Sequence, residues 1–70
     1  MNLKLKENGE IIATIEARKV TTCEDDKVRE FLEAMIANNE ISEFPPHIDR
    51  DQMLKDVIQA FAFVNSYEVE

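Results

Sequence analysis

The chain has 70 residues, of which 44% are hydrophobic and 33% are charged, and it carries a net charge of −7. This composition is typical of one small globular domain and argues against a disordered chain, while no apolar run approaches the ~20 residues of a membrane span. The single cysteine, Cys23, excludes an internal disulfide, and no CxxC motif or Cys/His cluster offers a zinc site.

The negative charge is concentrated after residue 20. Residues 1–20 hold four basic and three acidic side chains, whereas residues 21–70 hold four basic and twelve acidic ones. A surface of that sign repels phosphate backbones, so we expect no general binding of nucleic acid. The polar N-terminal segment does not resemble a signal peptide, and one unpaired cysteine suits a reducing compartment, so we expect a cytoplasmic protein.

The first apolar residues alternate with polar ones, which is the period of a β-hairpin. Asn8-Gly9 indicates the turn, because glycine enters the left-handed conformation of a bulged turn without steric cost. A two-residue loop would mix the apolar and polar faces, so we predict a three-residue loop over residues 7–9. The pairs expected from this loop are Leu5 with Ile11 and Leu3 with Ala13.

The second apolar run of the hairpin is longer than the first. We interpret residues 10–20 as one strand, so residues 16–20 lack a partner in the hairpin. An unpaired strand edge favours aggregation unless something covers it. The short run at residues 67–69 also alternates and is an optional third strand that could fill this gap. A symmetry-related chain could fill it equally well.

A first helix is predicted over residues 24–38. Thr22 precedes Asp25 by three residues, which is a variant of the capping box, and acidic residues in the first turn suit the helix dipole. Asn38-Asn39 indicates the end of the helix. The apolar residues have the spacing of one helical stripe: Val28, Phe31, Leu32, Met35 and Ile36.

A second helix follows Pro45-Pro46, which prevents the first helix from continuing. Asp49 is the predicted N-cap, and Gln52 at the third position is expected to reach back to it. Two apolar stripes run along this helix, which is apolar on more of its circumference than one small core can cover. The residues expected to face the chain's own hairpin and first helix are Leu54, Ile58 and Phe61.

These elements predict a single α+β domain over residues 1–70. The order is an N-terminal β-hairpin followed by two antiparallel amphipathic helices (ββαα), with the optional third strand at the end. A chain of this size buries only about 60% of its unfolded surface, and its core contributes only a few kcal/mol. Small proteins compensate with disulfides, metals or oligomerisation. Since the first two do not suit this sequence, we predict a homodimer.

We interpret the side chains that could react or bind a metal as structural residues. Cys23 has no neighbouring base, since the only histidine, His47, lies 24 residues away. His47, Asp49 and Asp51 alternate but match no metal-binding motif, and a calcium loop needs more oxygen ligands and a glycine. There is no glycine-rich phosphate loop and little room for a cleft. We therefore predict no enzyme, no catalytic residue, no metal or cofactor, and no small-molecule substrate.

The apolar surplus of the second helix predicts a protein interface, because contiguous exposed apolar area is uncommon on monomers. We expect a small cytoplasmic interaction module, homodimeric through the second helix, whose role is to bind another protein. The predicted interface residues are Met53, Ala60, Phe63, Val64 and Tyr67.

Two alternative functions remain open. The order of strand, helix and a helix opening at Ile48 resembles, over about 45 residues, the ribbon-helix-helix regulators, in which paired strands from two chains enter the DNA major groove. The resemblance implies that the outward residues of the strand, including Glu16 and Arg18, would face the bases, although Glu16 and the net charge oppose this. The other alternative is an acidic inhibitor, of the kind carried by phages or plasmids, that occupies the nucleic-acid-binding site of a basic protein.

Overall fold

The computed structural model describes all 70 residues as a four-stranded antiparallel sheet with two helices on one face. The α+β class is confirmed, with two more strands than the predicted hairpin. The elements are β1 Asn2–Leu5, β2 Ile11–Glu16, β3 Lys19–Cys23, α1 Asp26–Ile41, α2 Arg50–Val64 and β4 Tyr67–Val69. In the sheet the strands lie in the order β3-β2-β1-β4. The N-terminal strand β1 is therefore an inner strand, and the C-terminal strand β4 lies beside it at one edge.

The first hairpin has the predicted glycine conformation but a different loop. Gly9 has a φ of 72°, and Leu3 lies opposite Ala13 as expected. The Leu5 amide donates to the Glu10 carbonyl at 2.9 Å, so the loop comprises the four residues 6–9. A bulge in β2 places Lys4 opposite Ile11, and the predicted pairing of Leu5 with Ile11 is wrong. The extra residue of the bulge absorbs the break in alternation that two consecutive isoleucines create.

The segment predicted as one strand over residues 10–20 is a second hairpin. Ala17 and Arg18 have φ values of 49° and 64°, and Glu16 pairs with Lys19 across this two-residue loop. Positive φ at both loop residues matches the twist of the flanking strands, but Gly, Asn or Asp normally occupies these positions. The sequence therefore gives no turn signal here. Because residues 16–20 pair within this hairpin, the expected unpaired stretch does not exist.

The optional C-terminal strand is present as β4, but it pairs with β1 and not with residues 16–20. Ser66 has a φ of 60° and reverses the chain directly after α2. Leu3 then lies opposite Val69 and Leu5 opposite Tyr67. This arrangement makes β4 one edge of the sheet and β3 the other.

Helix α1 is capped by Asp25, whose carboxylate accepts hydrogen bonds from the amides of Lys27 and Val28. The predicted cap Thr22 belongs to β3 and lies four residues before the first residue of α1, Asp26, so it is too far from the helix to cap it. The helix also continues past Asn38-Asn39 to Ile41. Asn39 does not end it because its buried side-chain amide donates to the Arg50 carbonyl at 3.0 Å, a tertiary bond that compensates for its low helix propensity.

Helix α2 has the predicted N-cap. The Asp49 carboxylate accepts from the amides of Asp51 and Gln52 at 3.0 and 3.2 Å. The Gln52 side chain does not reach back, because it donates to Asp56 one turn further on. The two helices are antiparallel, since Phe31 of α1 contacts Phe61 of α2 and Asn39 contacts Arg50 at the opposite ends.

One core joins the sheet to both helices. Leu54 and Ile58 lie in it as predicted, whereas Phe61 is half-buried at its border. The buried apolar residues are Leu3, Ala13, Ile15, Val28, Leu32, Ile36, Leu54, Ile58 and Ala62. The opposite face of the sheet is polar, where the Thr14 hydroxyl donates to Asn2 at 3.0 Å. Neither helix has the length and hydrophobicity needed to cross a membrane.

A candidate protein interface on the helical layer

The helices expose a row of apolar residues each on the side away from the sheet. We call these two rows together the outer seam: Phe31, Ala34, Asn38 and Ile41 on α1, and Met53, Val57, Ala60 and Val64 on α2. Within each row the spacing alternates between three and four residues, which keeps the row on one side of its helix. The rows therefore have the spacing by which helices pack against further helices.

The outer seam is exposed although seven of its eight residues are apolar. Phe31 is 62% exposed, Ile41 80% and Val64 79%, whereas Val57 is 45% exposed. None of the eight residues is charged, in a chain of which 33% is charged. A surface chosen only for solubility would interrupt such rows with charge, so the outer seam has the composition of an interface core.

The groove between the rows is closed at one end and open at the other. At the closed end the rings of Phe31 and Phe61 lie tilted against each other with centroids 5.9 Å apart. At the open end lies a hollow of about 280 Å³, lined mainly by apolar side chains that include Met35, Phe44 and Val57. A side chain from another helix would fill this hollow.

The chain exposes slightly more surface than is typical for its mass. The accessible surface is 4935 Å² for a mass of 8.1 kDa. A monomeric protein of this mass typically exposes about 4,500 Å². The excess of about 400 Å² accompanies the elongated shape of the molecule, whose principal extents are 40, 19 and 19 Å.

The five residues predicted as one interface lie on two surfaces. Met53, Ala60 and Val64 belong to the outer seam. Phe63 points elsewhere on α2, with its ring 5.7 Å from the Lys6 ammonium. Tyr67 is half-buried in β4, where it lines a hollow together with Phe63 and also lies 6.3 Å from the Phe61 ring. The α1 row was not predicted, although the 3-4-3 spacing from Phe31 to Ile41 is the signal that identifies it.

A polar cluster fixes the relative position of the helices below the outer seam. Arg18 donates to Asp51 at 2.6 Å and to the buried Asn39, and it lies 3.6 Å from Glu40. Arg50 donates to the Asn39 carbonyl. The turn at Ala17-Arg18 is thus tied to the end of α1 and the start of α2. Sequence analysis missed this cluster because the turn that presents Arg18 carries no turn signal.

The residues that the sequence offered as candidate metal or reactive groups lie in different surroundings. Asp49 caps α2 and Asp51 pairs with Arg18, while His47 is exposed in the preceding loop. The Cys23 thiol donates to the Asp25 carbonyl at 3.2 Å. No three His, Cys, Asp or Glu side chains lie close enough together to hold a metal ion.

The ribbon-helix-helix resemblance does not extend to the topology. In that family the strand must be free to pair with a second chain. Here β2 is hydrogen-bonded to β1 on one side and to β3 on the other. The segment predicted to enter the groove of DNA is therefore divided between a central strand of the chain's own sheet and the turn that holds Arg18.

Comparison with protein-family models, with curated proteins and with solved structures finds no match to this chain. A function is consequently inferred from the geometry of the molecule, in which the outer seam is a surface that a solubility requirement does not explain.

Proposed function

We propose that the protein is a small interaction module that works as a homodimer through the outer seam. The observation that carries this proposal is the pair of exposed, uncharged rows on antiparallel helices. Helices with 3-4 spaced apolar rows pack at a small crossing angle with axes about 8–10 Å apart. Two copies related by a two-fold axis would bury their outer seams in a four-helix layer between two sheets.

The size of the molecule suits this dimer. A standard interface buries about 800 Å² per partner, which is about a sixth of the 4935 Å² accessible surface. The exposed alanines, Ala34 and Ala60, lie in the middle of their rows, where small side chains permit close approach of the helices. We place Phe63 outside this interface because it borders β4.

The dimer leaves the polar face of the sheet and the sheet edges free to contact another protein. It also explains how a chain with only nine buried apolar residues gains further burial. Small domains commonly acquire through oligomerisation the stability that their own core does not supply.

A charged substitution within the outer seam tests the proposal. Val57→Asp places a carboxylate in the α2 row, and we expect it to convert a dimer into a monomer in light scattering at about 100 µM, because an interface core does not tolerate an unpaired charge. Gln59→Asp is the matched control, because Gln59 is exposed on the same helix outside the outer seam. This substitution adds the same single negative charge as Val57→Asp. Equal masses for the two variants would contradict the proposed interface.

One observation favours an acidic inhibitor as a second candidate function. Asp26, Glu30 and Glu33 lie exposed along the solvent side of α1, and none of them forms an ion pair. Such a row attracts a basic groove that normally holds nucleic acid. Retention of a nuclease or polymerase from a lysate, lost when Glu30 and Glu33 are changed to Gln, would support this function; recovery of the chain alone would count against it.

A further inference from the structure

The free edge of β4 forms a second surface, independent of the outer seam. Asn2 and Glu70 exchange both backbone hydrogen bonds, at 2.8 and 2.9 Å. In an antiparallel ladder the next bonded pair lies two residues on, which is Lys4 with Glu68. The amides and carbonyls of Tyr67 and Val69 therefore point away from β1, towards the open side of the sheet.

The opposite edge of the sheet differs from β4 in one contact. A helix packs beside each edge strand, α1 against β3 and α2 against β4. Only at β3 does a side chain donate to an edge-strand carbonyl, since the Arg29 guanidinium lies 3.5 Å from the Val20 carbonyl. No element lies beyond β4. Unpaired backbone groups on an edge strand pair readily with an extended segment of another chain.

A hollow accompanies the free edge on its helical side. The hollow has a volume of about 390 Å³, and its lining includes Phe63, Ala62, Tyr67 and Val69. The turn at Ser66 brings β4 back beside the end of α2, so Phe63 stands over this hollow while remaining 78% exposed. The other half of the lining is polar or charged: Lys6, Gln59, Glu68 and Glu70. Alternate side chains of an added strand would point into the hollow, where apolar ones can contact Phe63 and Tyr67.

The charge of Glu68 determines which kind of strand can pair with the β4 edge. Glu68 is exposed on the polar face of the sheet and forms no ion pair, because Lys4 pairs with Glu70. A second copy would add in the antiparallel sense, and the only register that pairs all three residues of β4 places Glu68 opposite Glu68. Like charges directly opposite each other destabilise a sheet. A basic residue at that position would instead be favoured.

We propose that the β4 edge binds an extended segment of a partner protein that carries a Lys or Arg between two apolar residues. The backbone of the segment pairs with Tyr67 and Val69, its basic side chain lies beside Glu68, and its apolar side chains enter the hollow under Phe63. This surface does not overlap the outer seam, so the two proposals can fail separately.

The test is a peptide titration followed by backbone amide NMR shifts. The probe is a capped nine-residue peptide with Val-Lys-Val at its centre, and the control peptide has Val-Glu-Val. We expect the lysine peptide to shift the amides of residues 66–70 and to bind about fivefold more tightly at low salt, as expected for one cross-strand charge pair. Methylating the two valine amides of the peptide should abolish binding.

A charge reversal separates recognition from general attraction. Glu68→Lys should reverse the preference between the two peptides, whereas Glu43→Lys, which changes the net charge equally at an exposed position between the two helices, should preserve it. Phe63→Ala should weaken binding of both peptides. The proposal is overturned if neither peptide shifts residues 66–70 at millimolar concentration, if the shifts map to the outer seam, or if the two charge reversals act alike.

Discussion

The two apolar rows of α2 have similar composition and different environments. Leu54, Ile58 and Ala62 are 7%, 1% and 1% exposed, and they join the sheet to α1. Met53, Val57 and Val64 are 37%, 45% and 79% exposed on the other side of the same helix. The first row holds the chain together, and we propose that the second row holds two chains together. Hydrophobicity along a helix therefore does not by itself distinguish a core from an interface.

The comparison is tested most strongly by truncating one residue in each row. Ile58→Ala should lower the free energy of unfolding by about 2–5 kcal/mol, because it leaves a cavity in a packed core. Val57→Ala, one residue earlier, should change it by less than about 1 kcal/mol, since that side chain is half-exposed. Urea denaturation at a concentration low enough to favour monomers gives both values. Similar losses for the two variants would mean that the rows do not differ as described.

The polar cluster at the ends of the helices provides a smaller effect. Asn39→Ala removes the acceptor of Arg18 and the donor to the Arg50 carbonyl, and should lower the free energy of unfolding by about 1–3 kcal/mol. Gln59→Ala truncates an exposed amide side chain outside the outer seam and serves as the control. Thermal unfolding of the two variants measures the difference, and a stable Asn39→Ala protein would show that the cluster does not position the helices.

Salt concentration has the smallest expected effect, which is on the affinity of the dimer formed through the exposed row. Each copy carries a net charge of −7, so two copies repel each other while their uncharged seams associate. Raising the salt concentration from about 20 to 500 mM should screen this repulsion and tighten the dimer a few-fold. Sedimentation velocity at both salt concentrations measures the change. Weakening by salt would indicate that ion pairs, and not the outer seam, hold the copies together.

Sequence patterns predicted those parts of the fold where local signals agree. The Asp49 cap, the glycine turn at Gly9 and the burial of Leu54 and Ile58 follow from spacing and capping chemistry. The turn at Ala17-Arg18 could not be predicted, because its positive φ angles cost about 1 kcal/mol or more per residue and depend on tertiary contacts of Arg18.

Of the two rows of the outer seam, the sequence indicated the α2 row and not the α1 row. The α2 row was identified because a helix apolar on two sides exceeds what one core requires. Phe31 was predicted to share one apolar stripe of α1 with residues that are buried in the core. Spacing gives the width of such a stripe, and it does not show where a neighbouring helix stops covering it. Phe63 and Tyr67 separated from the α2 row because Ser66 returns the chain to the sheet edge.

The central claim, that the outer seam joins two copies, is tested most directly by sedimentation equilibrium of the unaltered chain over a concentration range. From about 5 to 300 µM we expect the mass to rise from near 8.1 kDa towards twice that value, with a micromolar dissociation constant. A mass that stays at 8.1 kDa throughout this range would contradict the account.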